Sequence, residues 1–397
     1  MNVKHFDVVI AGGAMAGASL AMAIDTLSQQ GLRVAVVEAV EPQLDSHPGY
    51  DSRCIALSLG TATLLDTIGV WPALRQEATA ISNIHVSDRG HAGIVRLSAQ
   101  QQAVDALGYV IELADAGRIF HQHLTECQQV TMYCPNSIVG IERQQDSVTL
   151  TLNAGEQIVT QLLVTADGAL SGCCEMLGIE REEHDFEQVA VIANVTTSER
   201  HQGRAFERFT PYGPVALLPM SDGRSSLVWC IKPEHQQQVM NWSDNEFLTE
   251  LQQAFGWRLG AMVKTGQRAS YPLLLRQAKR ITTHRVAVVG NAAQTLHPIA
   301  GQGFNLGVRD VMTLAEEVVT AFEQGRDIGG TAMLSCYRQR RQPDRQATIT
   351  MTAGLVGLFA NDSLPLVAGR NLGLMAMSAV DSLKAPLIRR AMGQVER

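Results

Sequence analysis

Residues 6–17 read FDVVIAGGAMAG, and this stretch decides the fold. Its apolar start, Phe6 to Ile10, predicts a buried parallel strand, and the glycines that follow predict a tight turn. A helix is predicted next, because apolar residues recur at helical spacing up to Leu27 and Gly31 stands where a C-terminal cap belongs. Arg33 to Val37 predicts a second strand, which ends in Glu38. The segment therefore predicts a βαβ unit.

The turn approximates the dinucleotide-binding fingerprint G-x-G-x-x-G, with Gly12, Ala14 and Gly17 at its three glycine positions. Ala14 adds a methyl group where the backbone must approach a pyrophosphate, and the neighbouring Gly13 keeps the turn open. Glu38 ends the second strand, where a carboxylate can accept hydrogen bonds from ribose hydroxyls. We predict a dinucleotide site here; the alternative is a tight strand-to-helix turn with a solvated glutamate.

Composition limits the class of protein. The chain has 397 residues, 46% of them hydrophobic, so it can bury more than one core. Its net charge of -7 disfavours nucleic acid as a partner. Seven cysteines without a C-x-x-C motif predict reduced thiols in a cytoplasmic protein, and no metal-ligand spacing is found. Neither a signal peptide nor a membrane-spanning run of about 18 apolar residues is expected.

The middle and late parts of the chain predict two further units. Residues 186–232 contain four β-type runs separated by turn signals and predict an antiparallel sheet, followed by a helix with a capping box at Ser243 and Glu246. Arg285 to Gly290 predicts another strand. A glycine-containing loop and an amphipathic helix follow it, the helix with Phe322 on its apolar side.

The C-terminal segment is locally cationic. From Arg338 onward there are nine basic and four acidic residues, a balance of +5, and apolar clusters at 354–360, 364–368 and 372–379. A cationic, interrupted apolar segment can lie on an anionic membrane surface without spanning it. The alternative is a helical layer packed on the body of the protein.

Three motifs in order carry a family resemblance: the first turn ending at Glu38, residues 166–171 (ADGALS), and residues 290–293 (GNAA) with the loop after them. Together they resemble the FAD-dependent aromatic hydroxylases of the p-hydroxybenzoate hydroxylase type and span most of the chain. A narrower resemblance, to hydroxylases of ubiquinone biosynthesis that act on prenylated phenols, rests on residues 51–57 (DSRCIAL), 204–210 (RAFERFT) and 295–303 (TLHPIAGQG).

The resemblance implies an α/β fold. It has a Rossmann-like FAD-binding domain (1–180 and 275–345), an antiparallel β-sheet substrate domain (181–274) and a C-terminal helical region (346–397). It also implies FAD and NADPH as cofactors, with a flavin C4a-hydroperoxide formed from O₂ that hydroxylates the ring. The expected surroundings are the cytoplasmic face of the inner membrane, where a ubiquinone-biosynthesis assembly is a possible partner.

Carried over residue by residue, the resemblance implies a set of cofactor-binding residues: Gly12, Gly13, Ala14, Gly17, Glu38, Arg53, Asp167, Gly168, Asn291, Pro298, Gly301, Gly303 and Asn305. For Arg53 the alternative is a surface ion pair. The sequence departs from the family at Asn291, where most relatives carry Asp, and near Cys173 and Cys174, where an arginine is usual.

The substrate site is predicted on the antiparallel sheet. Its expected lining residues are Phe206, Arg208, Leu217 and Trp229, although such apolar residues could equally pack that domain's own core. His297 is a candidate for proton transfer, or a loop histidine satisfied by backbone. Two rival functions stay open: a related flavoenzyme, either a hydroxylase of another aromatic or a reductase of isoprenoid double bonds, and a non-catalytic FAD-binding scaffold.

Overall fold

The computed structural model describes residues 3–41, 53–359 and 363–397. Its strands are β1 (Lys4–Ala11), β2 (Val34–Val37), β3 (Cys54–Ser58), β4 (Thr79–Ile81), β5 (Asn83–Asp88), β6 (Ile94–Ser98), β7 (Gly108–Glu112), β8 (Val130–Tyr133), β9 (Ile138–Arg143), β10 (Val148–Leu152), β11 (Gln157–Thr165), β12 (Arg181–Thr197), β13 (Arg204–Thr210), β14 (Gly213–Pro219), β15 (Arg224–Ile231), β16 (Met262–Thr265), β17 (Ala269–Ala278), β18 (Thr282–Thr283), β19 (Val286–Val288) and β20 (Gln294–Thr295). Its α-helices are α1 (Met15–Leu27), α2 (Leu59–Thr67), α3 (Trp71–Glu77), α4 (Leu113–Glu126), α5 (Gly172–Met176), α6 (Gln236–Asn241), α7 (Asp244–Phe255), α8 (Gly290–Ala293), α9 (Gln302–Glu323), α10 (Thr331–Phe359), α11 (Leu364–Ala379) and α12 (Asp381–Ala391).

The first sheet contains the predicted βαβ unit. Its strands β19, β11, β1, β2 and β8 lie side by side and parallel. Val8 and Ile10 of β1 pack with the helices α1 and α9, while Val9 and Ala11 pack toward the β9–β10 hairpin. Both faces are therefore covered, which explains the continuous apolar run in β1.

The role predicted for Gly31 is wrong. Helix α1 ends at Leu27, and the turn after it is made by Gln29 and Gln30, which have φ of 51° and 62°. A Cβ atom on Gly31 would lie 2.8 Å from the ring of Phe322 in α9, so Gly31 is needed for a close approach between elements and does not cap the helix. Phe322 makes this contact although it is 40% exposed.

The second sheet is largely antiparallel, as predicted, with strand order β20-β17-β12-β15-β14-β13-β5-β6. One face packs against α7, whose capping box at Ser243 and Glu246 is present and whose end is marked by Gly256. Strands β5 and β6 join this sheet from within residues 1–180, with β5 parallel to β13. The division of the chain into domains stays a prediction.

The predicted C-terminal helical region is confirmed and covers the other face of the second sheet. Phe359 at the end of α10 stacks on Phe209 of β13 with ring centroids 3.7 Å apart. Arg370 of α11 is buried and donates from Nε to Asp88 of β5 at 2.9 Å. The described residues do not include Ala360, the last residue of the apolar cluster 354–360, or Asn361 and Asp362 after it.

The length and apolar composition of the helices indicate whether any of them could span a membrane. Among the described residues, no single helix is long and apolar enough to cross a bilayer. Helices α10 and α11 together have the length and composition of a span, but they are bent by 119° relative to each other.

A buried charge network joins α9 to α10. Arg309 pairs with Asp344 at 2.8 Å, and Arg341 pairs with Asp310 and Asp344, both at 2.7 Å. Gln294 donates to Asp310 at 2.7 Å, which ties the network to the segment after α8, and Arg345 donates to the same Gln294 at 2.7 Å. Burial raises the pKa of Asp344, but Arg309 and Arg341 outweigh it and hold that pKa below its usual value.

We expect Asp344→Ala to lower the free energy of unfolding by about 3–5 kcal/mol, because it leaves two buried guanidinium groups without their shared carboxylate. Urea unfolding of the FAD-loaded protein measures this change. The control is Arg338→Ala, an exposed position on the same helix, which should stay within about 0.5 kcal/mol of the wild type. Equal stability of the two variants would contradict a role for the network.

Candidate active site

A cleft of about 520 Å³ opens at the carboxyl ends of the parallel strands. Residues from all three sequence motifs line it: Gly12 and Ala14, Glu38, Asp167 and Gly168, and Asn291 and Gly303. These motifs follow β1, β2, β11 and β19, which end at the same edge of the sheet. The crevice outside this edge is where such sheets bind their ligands.

The first turn has the close backbone contacts that its glycines predict. Gly12 has a φ of 98°, and a Cβ atom there would lie 2.6 Å from the carbonyl oxygen of Ala166. A Cβ atom on Gly17 would lie 1.8 Å from the carbonyl oxygen of Gly12. The N-cap residue of α1 is Ala14, which makes no side-chain capping bond, so the first N–H groups of the helix are available to an anion in the cleft.

Glu38 lies at the edge of this cleft. One carboxylate oxygen accepts from the backbone N–H of Gly13 at 2.6 Å and the other from that of Val40 at 2.9 Å. These bonds fix the carboxylate beside the turn while leaving lone pairs that can accept from ribose hydroxyls. The geometry fits the predicted contact.

The second motif is held by its own short helix. Asp167 accepts hydrogen bonds from the hydroxyl of Ser171 and from the backbone N–H of Cys173, the latter at 3.0 Å. Gly168 has a φ of 87° and lies at the cleft surface. Cys173 is buried, and the guanidinium that contacts this motif is that of Arg181, which donates to the carbonyl oxygens of Ala169 and Ser171 at 2.7 and 3.3 Å.

The third motif contributes Asn291 and the start of α9. Asn291 is exposed to the cleft, and its amide can donate to and accept from the hydroxyls of a bound cofactor. Gly301 has a φ of 59° and is the N-cap of α9, and a Cβ atom on it would lie 2.8 Å from the Cβ of Ala56. This glycine therefore allows α9 to begin against β3.

Asn305 has a different environment from the one predicted. Its Nδ2 donates to the carbonyl oxygens of Ala56 and Gly301 at 2.8 and 2.7 Å, and its Oδ1 accepts from the N–H of Ser58 at 2.8 Å. The side chain is 2% exposed and bonds only backbone in these contacts. Asn305 therefore fastens β3 to the start of α9 and positions the site; direct binding of the cofactor by its side chain is not supported.

Arg53 stands at the start of β3, and its carbonyl oxygen accepts from the N–H of Leu113 at 2.9 Å. Its side chain is exposed, and it is absent from the cleft lining given by the described residues. Asp51 and Ser52 of the same motif lie outside those residues. The phosphate contact of Arg53 stays a prediction.

An apolar cavity of about 560 Å³ adjoins the cleft, and Gly303 and Phe304 line both. Its apolar lining comes from β3, the second sheet and the C-terminal helices and includes Ile55, Leu57, Ile84, Val86, Phe209, Ala216, Leu218, Val228, Leu358, Phe359, Leu374 and Met377. Pro298 and Gly301, which were predicted to bind the cofactor, line this cavity and are not among the described lining of the cleft. The charged residues among the described lining are Glu207 and Arg370.

Three of the four residues predicted to line the substrate site lie on the face of the sheet opposite the cavity. Leu217 and Trp229 lie on the opposite face of the sheet, in the core formed with α7, because alternate residues of a strand face opposite sides. Arg208 faces the same side and donates from Nε to the carbonyl oxygen of Ala254 at 3.2 Å. Phe206 borders the cavity, but its ring packs against Phe255 with centroids 5.4 Å apart.

His297 is also corrected, in favour of the structural alternative. It is 1% exposed; Nε2 lies 3.0 Å from Oε1 of Gln188, and Nδ1 accepts from the N–H of Ile299 at 3.3 Å. Burial lowers its pKa to about 4. Leu296 and Pro298 line the cavity, whereas His297 does not. Both ring nitrogens are thus engaged within the protein.

The cavity lining from β5 and the C-terminal helices was not predicted from the sequence. Ile84 and Val86 line the cavity, and the alternating stretch 83–88 (NIHVSD) carried a strand signal for them. Leu374 and Met377 of α11 come from an apolar cluster that was assigned only to membrane contact or packing.

Known proteins share this architecture. Residues 5–352 match the family model described as FAD binding domain. The chain is 37% identical over 393 residues to a ubiquinone hydroxylase of Rhodospirillum rubrum, covering 99% of this chain and 91% of that protein. It is 33% identical over 400 residues to the 3-demethoxyubiquinol 3-hydroxylase of Escherichia coli, covering 99% and 100%. The crystal structure of p-nitrophenol 4-monooxygenase from Pseudomonas putida matches with a TM-score of 0.81 at 19% identity, covering 100% of both chains.

The fold and the cleft therefore define an FAD-dependent monooxygenase. Within that class, the chain belongs to the FAD-binding-domain family, in the group that contains the two hydroxylases from Rhodospirillum rubrum and Escherichia coli. The residues of the cleft fit FAD: the glycine turn leaves room for a diphosphate, the open end of α1 favours its charge, and Glu38 and Asn291 stand where hydroxyl groups can bind.

We expect His297→Gln to keep flavin and turnover within a few-fold of the wild type, because neither ring nitrogen of His297 faces the cavity. Its pKa is lowered on folding, so its contribution to stability is present above about pH 6.5 and is lost as pH falls toward 4, by roughly 3 kcal/mol. Unfolding free energy measured between pH 7 and 4 should therefore fall less steeply in the variant.

The control for this experiment is His5→Gln, which replaces an exposed histidine of β1 and should keep the wild-type stability at pH 7 within about 0.5 kcal/mol. A loss of turnover of more than a hundredfold in His297→Gln, with flavin content and stability intact, would restore the catalytic assignment.

Proposed function

We propose that this enzyme hydroxylates the aromatic ring of a polyprenylated methoxyphenol, of the 2-polyprenyl-6-methoxyphenol type, in ubiquinone biosynthesis. NADPH gives up two electrons, one oxygen atom of O₂ enters the ring, and the other leaves as water. The observation that carries the proposal is the apolar cavity that shares Gly303 and Phe304 with the cofactor cleft. The ubiquinone hydroxylases among its relatives support the substrate class.

The cavity suits a phenol with a hydrocarbon tail. Each buried methylene contributes about 0.8 kcal/mol, so an apolar lining of this size favours an isoprenoid over a soluble aromatic acid. Glu207 offers a carboxylate to which a phenol hydroxyl can donate. The lining provides no ion-pairing site for a substrate carboxylate among the described residues, since Arg370 is bound to Asp88.

Bound FAD supplies the reduction of O₂ and the transfer of oxygen to the ring. The chain's own residues position the reactants and exclude water. The first turn of α9 carries Gly303 and Phe304, which line both cleft and cavity, and N–H groups at the start of a helix stabilise negative charge. The stacked rings of Phe209 and Phe359 are part of the apolar lining, and an apolar lining disfavours water beside the reactive oxygen species.

We also propose that the C-terminal helices rest on an anionic membrane. Large apolar side chains are exposed on α11 and α12, among them Leu364 at 81%, Leu372 at 66% and Leu383 at 51%. On α12, Arg389 is exposed and Arg390 is half-buried, whereas Arg341 and Arg370 of the same segment are buried in ion pairs. Leu374 and Met377 of the same α11 line the cavity, so the surface proposed to meet lipid lies directly behind the substrate site.

We expect the FAD-loaded protein to consume NADPH and O₂ and to add 16 Da to a prenylated methoxyphenol, measured by mass spectrometry. Gly373→Leu should raise KM on the order of tenfold, because Gly373 lines the cavity with open space beside it. Gly354→Leu, an exposed glycine on α10 that also has open space, is the matched control.

Three outcomes would contradict this proposal. Reduction of an isoprenoid double bond without O₂ would indicate a reductase. Flavin that NADPH never bleaches, with or without the phenol, would indicate a scaffold. Equal KM values for Gly373→Leu and Gly354→Leu would place the substrate outside this cavity.

For the membrane contact, we expect Leu364→Ser combined with Leu372→Ser to lower co-sedimentation with phosphatidylglycerol vesicles on the order of tenfold, because it removes exposed apolar area. Raising the salt concentration should weaken binding of the wild type. Val139→Ser, an exposed apolar residue on β9, is the control. Unchanged binding of the double variant would contradict the contact.

A further inference from the structure

The second sheet carries a cluster of positive charge on the face turned away from the cavity. Arg208 of β13 pairs in register with Ser87 of β5, and His85 of β5 pairs with Arg96 of β6. Side chains of paired residues project from the same face, so these four form one patch across three strands. Arg258, just beyond α7, adds a further guanidinium to it.

The guanidinium groups of Arg208 and Arg258 both lie beside Gly256. The position that a Cβ atom on Gly256 would occupy lies 3.5 Å from Nη1 of Arg258 and 3.9 Å from Nη2 of Arg208. Each arginine donates once to the end of α7: Arg208 to the carbonyl oxygen of Ala254 at 3.2 Å, Arg258 to that of Phe255 at 3.3 Å. A guanidinium has five N–H donors, so most of them stay available.

The cluster lacks balancing negative charge. Within residues 3–41, 53–359 and 363–397, neither Arg208 nor Arg258 forms an ion pair. The nearby carboxylate of Asp88 is already bound by Arg370 and Asn371, both at 2.9 Å. Burial lowers the pKa of Arg208 to about 10, and the positive charges of Arg258 and Arg89 add to this effect.

Two polar atoms in the patch also lack partners. The hydroxyl of Ser87, on a residue only 1% exposed, and Nδ1 of His85 are buried without a hydrogen bond in the described structure. Burial, followed by the charge of Arg258, lowers the pKa of His85 to about 4, so its ring is neutral near pH 7. Buried groups of this kind normally have partners, and a bound ligand can provide them.

We propose that Arg208, Arg258, Ser87 and His85 form a binding site for the phosphate group of a small molecule. Paired guanidinium groups match the tetrahedral oxygens of phosphate, and a buried hydroxyl and a neutral imidazole can both donate to them. Trp257 follows Gly256 and is 72% exposed, which provides an aromatic surface beside the phosphate for a base or ring. The site does not depend on which aromatic substrate the enzyme hydroxylates.

The first experiment is titration calorimetry of the FAD-loaded protein with inorganic phosphate at low ionic strength. We expect saturable binding in the wild type, a loss of at least tenfold in affinity for Arg258→Gln and for Arg208→Gln, and a smaller loss for Ser87→Ala. Arg338→Gln, an exposed arginine on α10, is the matched control and should bind like the wild type. Flavin absorbance and circular dichroism verify that each variant is folded.

A second titration, with NADPH and NADH, distinguishes the sources of the phosphate. If the arginine variants weaken NADPH binding in parallel with phosphate but leave NADH unaffected, the ligand is the 2′-phosphate of the dinucleotide. If only phosphate binding weakens, the site takes another phosphate or phosphate ester. No saturable phosphate binding by the wild type, or equal affinities in the wild type and all four variants, would overturn the proposal.

Discussion

The buried pairing of Asp310 and Asp344 with Arg309 and Arg341 is the constraint on which the site depends. These charges are almost completely removed from water, so any arrangement of α9 and α10 that leaves one of them unpaired is strongly disfavoured. The same network reaches Gln294 through Asp310, and Arg345 also donates to Gln294, so two bonds hold the segment between α8 and α9. The loop between α8 and α9 thus takes part of its position from the ion pairs beneath it.

Because α9 is fixed, its first turn lies between the cofactor cleft and the apolar cavity. Asn305 binds β3 to this turn, and Gly301 allows the two elements to touch. The cofactor side is set by the ends of four parallel strands, and the substrate side by the second sheet. The chemistry of the site therefore follows from where two sheets meet at one helix end, without a catalytic triad.

The sequence was sufficient to predict the βαβ unit, the antiparallel sheet and the convergence of three distant motifs. Those features depend on local patterns and on the rule that ligands bind at the carboxyl edge of a parallel sheet. The faces of the second sheet could not be predicted. Leu217 packs on α7 and Leu218 lines the cavity, so both faces of the strand are apolar. Alternation in polarity therefore does not show which face binds substrate. The environment of His297 could not be predicted either, because its hydrogen-bond partner Gln188 is distant in sequence.

Helix α11 has a consequence for substrates of different size. A single helix is about 10 Å across, much less than the roughly 30 Å of hydrocarbon in a bilayer. Under the proposed membrane contact, a phenol head group could reach the flavin side of this helix while the far end of its chain stays among lipid tails. The cavity then has to fit only the first part of the chain, and the enzyme becomes largely indifferent to how many isoprene units follow.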